Sequence, residues 1–327
     1  MAEWNTIVGT DIKEAASWLK KGEIVAIPTE TVYGLAANAM DEAAVKKIFA
    51  AKNRPFFNPL ILHIANVSWV DSLASEFPEK AQILARELWP GPLTLVLPKK
   101  GVVSDLVTAG HDTVALRVPG HLLTVELIQS LDFPLAAPSA NPFGHLSPTT
   151  AKHVLKLLEG KLPYILDGGP CEIGLESTII SFIEDQVRVL RYGGIPVEQI
   201  EELIGPVKAP ETRDHEGPLL APGMMKSHYA PRTKLYFGDI EKMINVHHLD
   251  RSKIGILSFS KLYKNIPEER QLVLSLEGDL EAAANGLFHA LHQLDEMKLD
   301  IILAEEFPNA ELGLAINDRL RRASSPR

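Results

Sequence analysis

Pro28-Thr29-Glu30-Thr31-Val32-Tyr33-Gly34-Leu35, followed one short helix later by Lys52-Asn53-Arg54-Pro55-Phe56-Phe57-Asn58-Pro59-Leu60, decides how the chain reads. The apolar run at 24–27 has the pattern of a buried strand, and Pro28 ends it. Hydroxyl and carboxyl side chains follow in a loop without period. Asp41 is placed to cap a helix whose apolar positions Val45, Ile48 and Phe49 recur at helical spacing. Lys52 falls near the same face at the end of that helix, and Pro55 pushes Arg54 toward an extended backbone. A polar loop at the carboxyl end of a strand, faced by two cations, suits an anionic ligand with hydroxyl or amino groups. An ordinary surface turn and a basic helix end fit the same spacing, because Lys and Arg commonly close helices. Other stretches decide between the two.

At 327 residues the chain is comfortable as two domains. A net charge of −9 argues against a broad nucleic-acid surface, which needs concentrated Lys and Arg, so no strong direct nucleic-acid binding is expected. The single cysteine, Cys171, excludes an intrachain disulfide and a Cys-rich zinc site, and fits a reducing compartment. Met1-Ala2-Glu3-Trp4-Asn5 lacks a signal pattern, and no apolar run approaches the roughly 18 residues of a membrane helix. The expectation is a soluble, cytoplasmic protein without a membrane partner.

Helices are predicted at 11–21, from Asp41, at 78–88, after Pro119-Gly120 to 130, at 147–159 and at 196–204. In the third last of these, after Gly120, the start is set by the Pro-Gly turn; in the next, Ser147 is read as the cap and Pro148 as the first helical residue. Strands are predicted at 60–64, 93–97, 113–118, 134–137, 164–166, 178–182 and 187–191, the last two as a hairpin. Strands and helices do not alternate strictly, so the fold class is α/β with an α+β-like mixed sheet for residues 1–204. Five prolines without periodicity mark 205–232 as a linker. Residues 233–327 read as a smaller C-terminal α/β, Rossmann-like domain with strands at 235–237, 254–259, 272–276 and 301–304. It has no Gly-x-Gly-x-x-Gly, so no nucleotide site is assigned to it.

Small polar groups gather in loops that follow strands: Thr29/Thr31, Ser139/Asn141, Ser147 and Ser177/Thr178. Lys52, Arg54, Arg117 and Arg191 supply cations, and loops beyond strand ends are where α/β sheets bind ligands. There is no P-loop, no Gly-x-Ser-x-Gly and no metal-binding His spacing. His247-His248 and His289/His292 read as helix-surface residues, and Cys171 as an inert small one.

Residues 28–35, Lys52-Asn53-Arg54-Pro55, Asn58-Pro59-Leu60, Trp89-Pro90-Gly91-Pro92-Leu93-Thr94, Ala115-Leu116-Arg117-Val118-Pro119, Ala137-Pro138-Ser139-Ala140-Asn141 and Glu176-Ser177-Thr178 resemble, in order, the YrdC-like domain of threonylcarbamoyl-AMP synthases. The resemblance covers about 5–204. Ser227-His228-Tyr229-Ala230-Pro231 and the second domain resemble the longer, two-domain branch of that family. Ala137 departs from the members that carry Thr there. The resemblance implies that L-threonine, bicarbonate and ATP give threonylcarbamoyl-AMP and pyrophosphate, with hand-off to a tRNA threonylcarbamoyl transferase. It implies threonine contacts from Thr31, His63, Arg117 and Ser177, and ATP contacts from Lys52, Arg54, Asn58, Thr113, Ser139, Asn141, Ser147 and Arg191. Lys52 and Arg54 would be the catalytic cations, serving phosphate charge and not the fold. His228 and Tyr229 would belong to a lid. Mg2+ would arrive with ATP, held by phosphates and water without a protein cage. Two alternatives stay open: an RNA-binding module without catalysis, and a carbamoyl-adenylate-forming maturation protein, whose extra zinc modules one cysteine cannot build.

Overall fold

The computed structural model describes residues 3–183, 186–210, 220–225, 227–247 and 249–325, with only the backbone of His247. The expectation for His247-His248 and the charged middle of the linker at 211–219 lie outside the described residues. Ten short strands form one mixed sheet, in the order Ile7–Gly9, Tyr164–Leu166, Val25–Ile27, Gly34–Asn38, Leu135–Ala136, Ile61–His63, Thr113–Arg117, Leu93–Pro98, Thr178–Ile183 and Gln186–Arg191. Its central strands are buried apolar runs, as covered sheets require. The helices Ile12–Lys20 and Glu42–Lys52 begin where their Asp caps predict, Asp11 and Asp41 each accepting from the backbone N–H two residues on. Thr178–Ile183 and Gln186–Arg191 do pair antiparallel.

A second, wholly parallel sheet runs Lys234–Phe237, Ile301–Ala304, Ile254–Ser258 and Gln271–Val273. The helix Leu280–Glu296 turns Leu287, Phe288 and Leu291 into a core that also takes in Val32, Leu146, Leu175 and Tyr229. Those four come from the first domain and the linker, so the two domains share apolar packing. The approach is close at Gly174, which lies at φ +73°: a Cβ there would meet the Asn285 carbonyl oxygen at 2.4 Å. Asn285 Nδ2 in turn donates to the carbonyls of Cys171 and Glu172 at 3.0 and 2.6 Å.

Two expectations are corrected. Ser147 does not cap a helix: Ala151–Leu158 starts later, capped by Thr150, whose hydroxyl accepts from His153 N. Residues 147–149 are drawn out instead by loop contacts, Pro148 O accepting from Tyr33 N and Thr149 O from Cys171 N, both at 2.9 Å. His292 is no surface residue either. It is buried at the domain junction, stacked on His153 with ring centroids 4.1 Å apart, its Nε2 3.1 Å from the Ser147 carbonyl. His289 remains exposed nearby.

Burial, with neighbouring cationic side chains, holds the His153 imidazole down at about 3, and burial holds His292 down at about 4. Both rings are neutral in the docked fold and take up protons near their ordinary value when freed. Docking is therefore fully supported above about pH 6.5 and weakens as the pH falls from there toward about 4. Melting of the wild type should drop between about pH 7 and about pH 5 more steeply than that of His292→Gln, which keeps a donor but not the titration. Parallel pH slopes would exclude His292 as a contributor.

Candidate active site

The carboxyl ends of the parallel strands Ile61–His63 and Thr113–Arg117 lie side by side, with His63 in register with Arg117. Their last side chains enter a cavity of about 50 Å³. The loop after Val25–Ile27 forms one wall. Thr29 ties that loop into a compact turn: its hydroxyl donates to Val32 O at 2.7 Å and accepts from the Thr31 and Val32 N–H groups at 3.2 Å. This leaves Thr31 Oγ1 facing Arg117, which donates to it at 2.9 Å. Arg117 also pairs with Glu30 at 2.7 Å, both buried, so its charge is already balanced. Burial, then the Arg117 charge, hold His63 down at about 3. Among the described residues its neutral ring leaves Nδ1 without a hydrogen-bond partner.

Opposite stand Ser177, Glu176 and Arg191. The Arg191 guanidinium forks onto the Ser177 carbonyl, Nε at 3.1 Å and Nη2 at 2.9 Å, and Nη1 donates to Pro222 O at 3.2 Å. Arg54 closes a third side, donating from Nη2 to Asn58 Oδ1 at 2.7 Å and Pro59 O at 2.8 Å. Burial lowers Arg54 to about 9, with Arg191 adding to the effect. Among the described residues no carboxylate pairs with Arg54 or Arg191. The roof is a strap made by 222–225 and 227–229, which brings Pro222, Gly223, His228 and Tyr229 onto the cavity.

Of the residues implied by the sequence, Thr31, His63, Arg117, Ser177, Arg54, Ser139, Arg191, His228 and Tyr229 line this one cavity. Lys52, Asn58, Asn141 and Ser147 stand behind its wall. Lys52 is buried and donates to the Ser139 and Asn141 carbonyls, the latter at 2.5 Å. Burial and then Arg54 push its ammonium below the ordinary range. Asn58 backs Arg54, Asn141 Nδ2 ties Pro142 O and His145 O at 2.9 Å, and Ser147 donates to Glu176 Oε1 at 2.6 Å. Thr113 opens the strand that Arg117 closes, roughly 13 Å away by strand rise. Only a ligand extending along the sheet reaches it. Glu30 and Glu176 are site residues that sequence reasoning missed. Both stood inside the quoted motifs, but a carboxylate in an anion pocket makes sense only once its cationic partner is seen. Cys171 is inert, burial pushing its thiol up to about 12.

Residues 17–193 match the Sua5_yciO_yrdC family, described as "Telomere recombination", and residues 195–325 match the "Threonylcarbamoyl-AMP synthase, C-terminal domain" family. The chain belongs to the threonylcarbamoyl-AMP synthase family. Threonylcarbamoyl-AMP synthase of Bacillus subtilis is 44% identical over 97% of this chain and 93% of its own length. That of Pyrococcus abyssi is 43% identical over 97% and 94%. The crystal structure of P. abyssi Sua5 complexed with L-threonine matches this fold with a TM-score of 0.90 at 42% identity, over 98% of this chain and 97% of that one. Family membership thus covers both domains, the mixed sheet and the parallel one alike.

The expectation that Lys52 and Arg54 leave the fold alone is corrected by their hydrogen bonds, which hold the 139–141 and 54–59 loops whatever they do for phosphate. Lys52→Ala removes the charged donor that the Ser139 and Asn141 carbonyls share, leaving Ser139 O, among the described residues, only the Asn141 N–H at 3.0 Å, and should cost about 1.5–3 kcal/mol of folding stability. Denaturant unfolding checks this, and an unchanged midpoint would show that those carbonyls do not need the ammonium.

Proposed function

We propose that the chain is an L-threonylcarbamoyladenylate synthase, a nucleotidyltransferase that joins L-threonine, bicarbonate or CO2 and ATP. The observation that carries this reading is one cavity with two kinds of anion receptor: the His63–Arg117 pair beside Thr31 and Ser177, and Arg54 and Arg191, neither of which forms an ion pair among the described residues. A relative crystallised with L-threonine over nearly the whole fold supports it. In this reading Arg117 and the two hydroxyls receive the carboxylate and hydroxyl of threonine. The neutral His63 Nδ1 accepts from its amine. The amine adds to CO2 with loss of a proton, or to bicarbonate with loss of water; the carbamate oxygen then attacks the α-phosphorus of ATP, and the bond to the β-phosphate breaks to release pyrophosphate. Arg54 and Arg191 stabilise charge developing on phosphate, so catalysis rests on positioning and electrostatics.

Mg2+ enters as MgATP. The described residues hold no group of three or more His, Cys, Asp or Glu suited to a metal ion, and the lining carboxylate Glu176 and the nearby Glu30 are each paired with an arginine. Donors from phosphate and water fit that setting. Our reading places the enzyme in the cytoplasm, its adenylate going to a tRNA-modifying transferase; no described helix is long and apolar enough to cross a membrane. Pyrophosphate release should require threonine, ATP and bicarbonate together, and release that ignores threonine would reject the assignment. Arg117→Lys keeps charge but loses the planar fork, so the KM for threonine should rise about tenfold while that for ATP stays near wild type.

The strap acts as a lid in this reading. A pocket for a drug-sized ligand runs to about 300–1,000 Å³, far above the present cavity, so the strap lifts to admit substrates and closes to keep water from a labile carbamate. Tyr229→Ala should lower synthesis, and truncation after Ile204 should lower it further. A truncated first domain working at the full-length rate would end the lid idea.

A further inference from the structure

Glu176 sets a puzzle inside an anion pocket. Its carboxylate lines the cavity next to Ser177 and Arg191, where it would repel phosphate and carboxylate alike. The countercharge comes from 143 residues away, on the helix Leu312–Ser324 of the second domain. Arg319 Nε donates to Glu176 Oε2 at 2.9 Å, and the Arg319 side chain is fully buried. Its Nη2 donates to Tyr192 O at 2.8 Å, its Nη1 to Asp318 at 3.0 Å, and its Cζ sits 5.1 Å from the centroid of the Tyr229 ring. The other Glu176 oxygen takes the Ser147 hydroxyl, so the carboxylate is fixed at both ends. Among the described residues no other cation forms an ion pair with Glu176. Burial alone would raise the Glu176 carboxyl, yet Arg319 and then Arg191 hold it below its ordinary range and keep it ionised.

We infer that Arg319 is a positioning residue of the active site: the second domain supplies the charge that silences Glu176 and leaves Arg54 and Arg191 free for anionic substrate. The same guanidinium underlies the ring of the strap residue Tyr229, so one side chain sets both the charge of the wall and the seat of the roof. Neighbouring contacts point the same way. Arg322 Nη1 donates to the Met225 carbonyl, its Nε donates to Asp318 at 3.0 Å, and His228 N donates to Arg322 O at 3.3 Å. The second domain is then an electrostatic part of the pocket as well as a packing partner. The inference rests on the proposed use of the cavity for ATP and threonine.

A double-mutant cycle on the full-length chain tests it: wild type, Arg319→Met, Glu176→Gln and the double variant, each titrated with ATP by calorimetry and assayed for turnover. Arg319→Met exposes an unbalanced carboxylate and should weaken ATP binding about tenfold or more. Adding Glu176→Gln removes the stray charge and should return affinity to within about threefold of Glu176→Gln alone. Turnover at saturating ATP should change far less than affinity. A merely structural role for Arg319 predicts no rescue, so a folded double variant as weak as Arg319→Met overturns the inference, as does a single variant of wild-type affinity. If Arg319→Met fails to fold, the double variant against Glu176→Gln decides alone: equal affinities support neutralisation, and a tenfold gap refutes it. A wild type that makes no threonylcarbamoyl-AMP rejects the proposed function instead, while the order of ATP affinities across the cycle still settles the role of Arg319.

Discussion

Five cationic side chains, Lys52, Arg54, Arg117, Arg191 and Arg319, are each less than a tenth exposed and crowd one end of one sheet. A buried charge is costly unless hydrogen bonds or countercharges receive it, and much of the local structure follows from meeting that demand. Two cations have carboxylates, Arg117 with Glu30 and Arg319 with Glu176. The other three rest on neutral acceptors: Ser139 and Asn141 carbonyls for Lys52, Asn58 and Pro59 for Arg54, Ser177 and Pro222 carbonyls for Arg191. Carbonyl acceptors hold a guanidinium in place without cancelling its charge. That difference separates Arg54 and Arg191, whose charge stays uncancelled, from Arg117, which meets a ligand as half of a balanced pair.

The loops carrying those acceptors cannot be chosen freely, because each must present a carbonyl toward the cavity. Pro55, Pro59, Pro138, Pro142 and Pro222 recur there, and a proline offers a carbonyl with no N–H to satisfy. Such loops are stiff, which suits a site whose chemistry depends on preorganised charge. Their tight routing also explains why Lys52 and Arg54 are as much part of the fold as of the site.

Much of this was legible because it is local. Asp11 and Asp41 signal their helices within three residues, and the apolar runs at 93–97 and 164–166 are too consistent to be anything but strands. Where reading failed, a partner distant in sequence had taken the residue over. Ser147 has every local mark of a helix cap, but Glu176 claims its hydroxyl. His292 sits on an amphipathic helix, but His153 and the Ser147 carbonyl cover it. The strand Gly34–Asn38, Gly-Leu-Ala-Ala-Asn, carries no β-branched residue and is a strand only because neighbours on both sides pair with it. The site residues came from resemblance and from the clustering of hydroxyls and cations; neither indicates which charges are already balanced.

Tyr229 shows how the closed strap is held. Its backbone lies at φ +61°, a left-handed conformation that is unfavourable for a bulky side chain and costs on the order of 1–3 kcal/mol. Against that stand a buried ring packed on Phe288 at 5.7 Å, the Arg319 guanidinium and a close meeting with Gly223, where any Cβ would strike the phenol oxygen at 2.7 Å. Burying an aromatic ring of this size outweighs the backbone strain, so the strap is held closed over the cavity. The margin is narrowed by the same strain, which opening relieves. Substrate that displaces the ring therefore works against a partly offset burial energy and not the whole of it. Under the proposed lid reading, a strap that lifts to admit substrate is better made from one well-anchored, strained residue than from a long relaxed interface.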